Sequence, residues 1–338
     1  MARISTELGQ KSQIRKRLSH RISEELAHIS SDDLFEVVTT ALACLIILIL
    51  ALTFVVLLRG SLPVLDRFGL GFVTGVSWNP VPGIETFGAQ PYILGTLVTS
   101  AIAVVIGVPI SLGIAIFLAE MAPDFISNPL SRVIELLAAV PSIIYGLWGL
   151  LVFRFWVLDW VEKPISTYLG SVPVFNGTPF GLDILTAGLI LSIMIIPTVS
   201  SISKEVMTAV PSSQREAAYS IGATKWEVVR MGVLSYARSG IFGAAILGLG
   251  RAVGETIAVT LVIGNAVGPG AVPTSLFQPG QTMASLIASE FNGADPGSIH
   301  ISALIGVGLV LFAFALIINV FAQLMVWKVL RVKGGAVD

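Results

Sequence analysis

Apolar and polar positions alternate along this chain in long blocks rather than with the short periods of a soluble fold. Six blocks are apolar and long enough to cross a bilayer, because a hydrocarbon core of about 30 Å takes about 20 residues of helix. They cover residues 37–58, 93–118, 133–157, 182–203, 240–263 and 301–326. Arg154 interrupts the third block and Pro197 the fourth. The pattern predicts an all-α membrane protein of six transmembrane helices at 37–330, with a polar tail at 1–36 and a short one at 331–338. The first block is longer than a signal-peptide core and lies behind the polar tail, so it is expected to remain as a helix.

The intervening segments differ in kind. Residues 60–91 hold Pro63, Pro80, Pro82 and Pro91 among several glycines and are expected to form turns, not helix. Residues 158–181, with Pro164, Pro173, Pro179 and Asn176-Gly177, read the same way. Residues 264–300 contain no lysine or arginine, and Thr282–Phe291 is expected to form a short helix there. Asn265 and Asn319 are candidates for hydrogen bonds between helices.

The longest polar interruption in the second half is 204–239. Ser213-x-x-Glu216 and Thr224-x-x-Glu227 are two capping boxes, with Gly222 between them where a helix C′ residue belongs. The expected product is a helix at about 214–221, a turn at Gly222 and a second helix from about 225. Small residues Ala217 and Ala218 on the first helix suit a groove on a partner. An amphipathic hairpin lying on the membrane surface satisfies the same pattern.

The fifth block carries a stripe of small residues, Gly240, Ala244, Gly248 and Ala252, and a second pair, Gly250 and Gly254. Such spacing lets membrane helices approach closely. Arg251 and Glu255 stand four apart in the same block. An arginine at mid-span costs about 2.5–3.5 kcal/mol even on the lenient insertion scale, so it belongs against protein or water. Two readings stand: a structural ion pair with Glu255, or a cation on the path of an anion with Glu255 holding or gating it. The arginine-first order is the poorer one for a helical pair.

Composition agrees with a membrane class: 54% of residues are hydrophobic and 12% charged, against about 25% charged in an ordinary soluble domain. The net charge of −1 says nothing about partners, but its distribution does. With the N-terminus inside, fifteen lysines and arginines face the cytoplasm and four face outward, leaving Arg251 within a span. The positive-inside rule then puts both termini in the cytoplasm. The tail's Arg3, Lys11, Arg15, Lys16, Arg17 and Arg21 serve that topology or touch lipid headgroups.

Other chemistry is sparse. Cys44, the one cysteine, lies in an apolar run and is expected to pack there. His20, His28 and His300 form no sequence cluster with acids, so no metal site is expected. Glu135 is placed to pair with Arg132. There is no GxxxxGK[ST] phosphate loop, so ATP-driven work would fall to another chain. The basic tail lacks interleaved aromatics and does not suggest nucleic-acid binding.

Glu216-Ala217-Ala218, followed after three residues by Gly222, resembles the EAA loop of binding-protein-dependent ABC importer permeases. The family pattern continues with Ile-x-Leu-Pro, and Gly232-Val233-Leu234-Ser235 keeps only its leucine. Gly250-Arg251-Ala252-Val253-Gly254-Glu255-Thr256 and Glu135 through Gly146 resemble segments of the phosphate-specific permeases. Ser285 through Phe291 is similar to the larger of their two paired permeases, the PstC type. The resemblance covers roughly 37–330 and implies a type I ABC importer permease, not an enzyme, moving phosphate by alternating access in the plasma (inner) membrane. It implies a second homologous permease, two ATPase subunits carrying ATP and Mg, and an extracytoplasmic phosphate-binding protein. It places Glu216, Ala217, Ala218, Gly222, Lys225 and Glu227 at the ATPase and Arg251 and Glu255 on the substrate pathway. Sulfate or molybdate would suit the same arginine. A stand-alone carrier or channel would have no need of the elbow.

Overall fold

The computed structural model describes residues 31–331, and side chains for 34–327. The basic tail singled out above, and Lys328, Arg331 and Lys333 as side chains, lie outside that range.

Six helices are long and apolar enough to span a membrane. They are α1 (Ser31–Phe68), α2 (Gln90–Met121), α4 (Ser142–Leu169), α5 (Ile184–Thr208), α7 (Lys225–Gly254) and α10 (Ile299–Arg331). Between them lie α3 (Asp124–Ala138), α6 (Ser212–Ser220), α8 (Ile257–Val262) and α9 (Met283–Glu290). Strands β1 (Trp78–Asn79) and β2 (Thr86–Phe87) make a small antiparallel hairpin, pairing Trp78 with Phe87 and Asn79 with Thr86.

Three boundaries differ from the sequence expectation, each for a local reason. Helix α1 continues through Pro63 to Phe68 where turns were expected. A proline inside a helix opens one rung of the hydrogen-bond ladder. Here the Ser302 hydroxyl braces the adjacent rung, donating to Gly60 O (2.7 Å) and accepting from Val64 N (3.3 Å). The third span begins at Ser142, not 133, and runs on to Leu169. Pro141 has no N–H and disfavours helix at the residue before it, so 124–138 becomes a separate helix. The fifth span starts at Lys225, because α7 is continuous from the elbow through a wide π turn at Val229–Leu234. It ends at Gly254, and the chain restarts as α8.

Helix α5 is the most buried of the six spans. The predicted stripe on α7 packs against it. A Cβ added to Gly240 would overlap Val206 Cγ1, and one on Gly248 would sit 2.5 Å from Val199 Cγ2. Ala244 is fully buried and Ala252 nearly so. Gly250 and Gly254 do not form the second close pair: a Cβ there would meet nothing within 4 Å.

At the hairpin end, Trp78 packs edge-on against Phe87 and Tyr92, with ring centroids 4.9 and 5.2 Å away. Its indole donates to Glu290 Oε2 at 2.8 Å, and His300 Nε2 lies 2.8 Å from that same oxygen. His300 thus does meet an acid, ten residues earlier in the same segment. Thr282 caps α9 through Ser285. The two asparagines do not bridge helices: Asn265 Nδ2 donates to Thr260 O and Asn319 Nδ2 to Ala315 O, both on the same stretch of chain.

Candidate functional site

Two polar features interrupt the apolar body. One is the break between α7 and α8. Arg251 lies in the last turn of α7, where the helix dipole favours a cation. Glu255 follows the helix with extended backbone (φ −69°, ψ 124°), so it no longer shares a helical face with Arg251. Among the described residues no carboxylate comes within ion-pair distance of Arg251. Of the two readings of Arg251 and Glu255, the ion pair is not formed. Glu255 Oε1 instead accepts from Ala258 N at 3.2 Å, satisfying one of the free N–H groups that open α8. Arg251 Nε is buried without a hydrogen bond.

Sequence reasoning missed what backs this break. Gly146 of α4 leaves so little room that a Cβ would lie 2.9 Å from Ala258 Cα and 2.7 Å from Leu261 Cδ1. Helices α4 and α8, which restart after the two interruptions, are thereby packed together near their N-termini. Interrupted helices meeting at membrane depth are tolerated where they line protein or a polar cavity.

The second feature is the elbow. Helix α6 ends in a Schellman turn: Gly222 has φ +81°, Gly222 N donates to Tyr219 O (2.9 Å) and Ala223 N to Ala218 O (3.3 Å). The predicted Thr224–Glu227 capping box is formed, with Thr224 N and Oγ1 each 2.8 Å from Glu227 Oε2. The Ser213–Glu216 box is not, since Ser213 already lies inside α6 and Pro211 precedes it without a side-chain cap. Glu216 is thereby freed. Glu216, Ala217, Gly222 and Lys225 are exposed, beside exposed Tyr219, Ile221 and Trp226, whereas Ala218 is buried. Glu227 is exposed with its carboxylate engaged in the cap. Gly232, where the EAA pattern is broken, is buried with Gln214 O 3.1 Å from an added Cβ. Ser235 Oγ returns to Arg230 O at 3.2 Å and satisfies a carbonyl of the π turn.

Comparison with known proteins bears on both features. The family described as "Binding-protein-dependent transport system inner membrane component" matches residues 111–331, which includes the elbow and the helix break. The phosphate transport system permease protein PstC of Haemophilus influenzae is 46% identical over 282 residues, 82% of this chain and 87% of that one. PstC of Mesorhizobium japonicum is 46% identical over 277 residues, covering 81% and 83%. PstC 2 of Mycobacterium tuberculosis is 40% identical over 290 residues, covering 83% and 85%. The chain belongs to this family, in its PstC branch.

Membership makes it a multi-pass permease component of an ABC importer. In this PstC-type chain other buried polar groups also went unnoticed in the sequence. Glu162 and Asp183 are both fully buried. Arg215 pairs with Glu120 at 2.6 Å across the elbow. Each partner lies far away in sequence or in a stretch read as loop, so spacing gave no signal. Glu135 and Arg132 do not form the anticipated ion pair; Glu135 lines a small cavity of about 30 Å³ with Lys204 and Glu205, and Lys204 Nζ bonds Ser131 Oγ at 2.6 Å. Among the described residues no cluster of His, Cys, Asp and Glu suits a metal ion.

Proposed function

We propose that this chain is the larger membrane subunit of an ATP-driven importer that carries inorganic phosphate into the cell by alternating access. Its relatives are named as phosphate transport permeases. The observation that carries the reading is Arg251, a guanidinium at the end of an interrupted membrane helix, with a buried Nε and no acid partner among the described residues. Such a group offers charge-assisted hydrogen bonds to a dehydrated oxyanion. Glu255 sets the local backbone through α8, so its part is to shape the break and not to neutralise the arginine.

In this reading the elbow faces the cytoplasm, as do both termini, and the hairpin end faces outward. Glu216, Ala217, Gly222 and Lys225 meet one of two ATPase subunits that bind ATP and Mg. A second homologous permease completes the pathway, and an extracytoplasmic phosphate-binding protein delivers substrate to the hairpin end. The chain itself performs no chemistry.

The test is phosphate uptake into vesicles holding the assembled complex, with sulfate and molybdate as competitors. Arg251→Gln is expected to abolish most uptake while leaving the complex assembled. Undiminished phosphate uptake in that variant would remove Arg251 from the pathway. Equal competition by sulfate would replace phosphate by a broader oxyanion class.

A further inference from the structure

The elbow and the membrane helices need a mechanical link, and one side chain is built to supply it. Arg215 sits on α6, directly before Glu216 of the EAA stretch. Its guanidinium reaches two other elements at once. Nη2 donates to Glu120 Oε1 at 2.6 Å and Nε to Glu120 Oε2 at 3.4 Å. Nη1 donates to Val210 O at 2.5 Å and Nη2 also to Met207 O at 3.0 Å. Glu120 belongs to the π turn Phe117–Met121 that ends α2. Met207 lies in the last turn of α5, and Val210 just beyond it.

The rigid fork of an arginine suits such a junction, because its five N–H donors are fixed in one plane. Here they add bonds to two carbonyls at the α5 C-terminus, and add a cation where the α5 dipole favours one. The side chains of Arg215 and Glu120 are only 23% and 10% exposed, so water and salt screen the pair weakly. Helix α6 is also packed closely by Gly232, where an added Cβ would lie 3.1 Å from Gln214 O. A displacement of α6 therefore has to carry the ends of α2 and α5 with it or break three partly buried polar contacts.

We propose that Arg215 is the positioning residue that transmits movement of the elbow to α2 and α5, with Glu120 as its counterpart on α2. The inference rests on the reading of the elbow as the ATPase contact. It assigns Arg215 a direction of action opposite to that of Glu216: inward to the spans, not outward to the ATPase.

The experiment measures three quantities on the full complex in vesicles: ATPase recovered with the permease, ATP hydrolysed, and phosphate taken up. Glu120→Gln leaves every carbonyl bond of Arg215 in place and removes the charge and one of the two acceptor oxygens of the α2 contact. Arg215→Gln removes the whole link. Both are expected to retain the ATPase and to keep hydrolysing ATP, while phosphate moved per ATP falls about fivefold or more. The double variant should be no worse than Arg215→Gln, because the two act through one contact. An unchanged ratio of uptake to hydrolysis in Glu120→Gln would overturn the proposal, even if Arg215→Gln fails to assemble. Failure of the unaltered chain to bring down an ATPase would instead sink the underlying reading of the elbow.

Discussion

Asp183 and Glu162 are gathered on one residue, with neither side chain exposed to solvent. Both converge on Thr186: its backbone N donates to Asp183 Oδ1 at 2.8 Å, and its hydroxyl to Glu162 Oε1 at 3.3 Å. Gly181 N adds a bond to Glu162 Oε2 at 3.0 Å. The pair fastens the end of α4 to the start of α5, next to loop residues that bond Ile184 and Leu185 through Gln278 O and Leu276 O.

Burial pushes the Asp183 carboxyl up to about 8, and the Glu162 charge pushes in the same direction. The folded chain thus holds a proton that the unfolded chain releases near 3.8. The stabilisation it gives is complete below that value and is lost as pH rises toward about 8, after which the dependence flattens. The other charges on the packed elements are Arg154, then Asp159 and Lys163, which pair with each other at 2.6 Å, and Lys204 and Glu205 at the far end of α5. Asp183→Asn keeps an acceptor for Thr186 N and removes the titrating group. Its thermal midpoint is expected to fall less than wild type between pH 5 and 8, measured on the purified complex. Parallel curves for the two proteins would count against a shared proton.

Gly240 and Gly248 make an internal comparison with Gly250 and Gly254. Alanine at either of the first two drives a methyl into Val206 or Val199, an overpacking that costs about 1–3 kcal/mol. Alanine at Gly250 or Gly254 meets nothing within 4 Å and is expected to leave the thermal midpoint of the purified chain unchanged or slightly raised. Equal losses at all four would mean that α7 packs on both faces.

Glu255 separates the ion-pair reading from the capping one. Glu255→Gln preserves the oxygen that accepts from Ala258 N and is expected to behave nearly as wild type in stability. Glu255→Ala loses the bond and about 1 kcal/mol, the usual cost of a deleted cap. A large loss in Glu255→Gln, cancelled by Arg251→Gln in the same chain, would restore the ion pair.

Gly222 is the residue on which the elbow turns, with φ +81°. Gly222→Ala forces an L side chain into the left-handed region and costs about 1 kcal/mol or more, and Gly222→Asn less. The expected readout is ATPase recovered with the chain, ordered wild type, then Asn, then Ala. No difference between Asn and Ala would show that the turn is not held in this geometry at the contact.

What was legible in the sequence followed from short-range rules. The six spans, the Gly222 turn, the Thr224 cap and the α7 stripe each depend on spacing within a few turns. Errors arose where a distant residue or a shifted helix end overrode a spacing rule. Pro63 reads as a helix end, yet Ser302 braces the adjacent rung from α10. Arg251 and Glu255 read as a helical pair, yet the helix ends between them. Ser213 reads as a cap, yet α6 starts one residue earlier after Pro211. The Arg215–Glu120 and Glu162–Asp183 contacts left no local trace, because no periodicity specifies which polar residues meet across a fold.

The hairpin end has a consequence for whatever lands on it. Trp78, Phe87, Tyr92, Glu290 and His300 interlock through rings and one shared carboxylate oxygen. Ala89 N bonds Phe72 O at 2.6 Å, and Gly268 N bonds the Tyr92 hydroxyl at 3.2 Å. These loops hold their shape through their own side chains, so the binding protein proposed above would meet a finished surface. Little association free energy is then lost to ordering them, and repeated brief encounters need no refolding of the landing site between one delivery and the next.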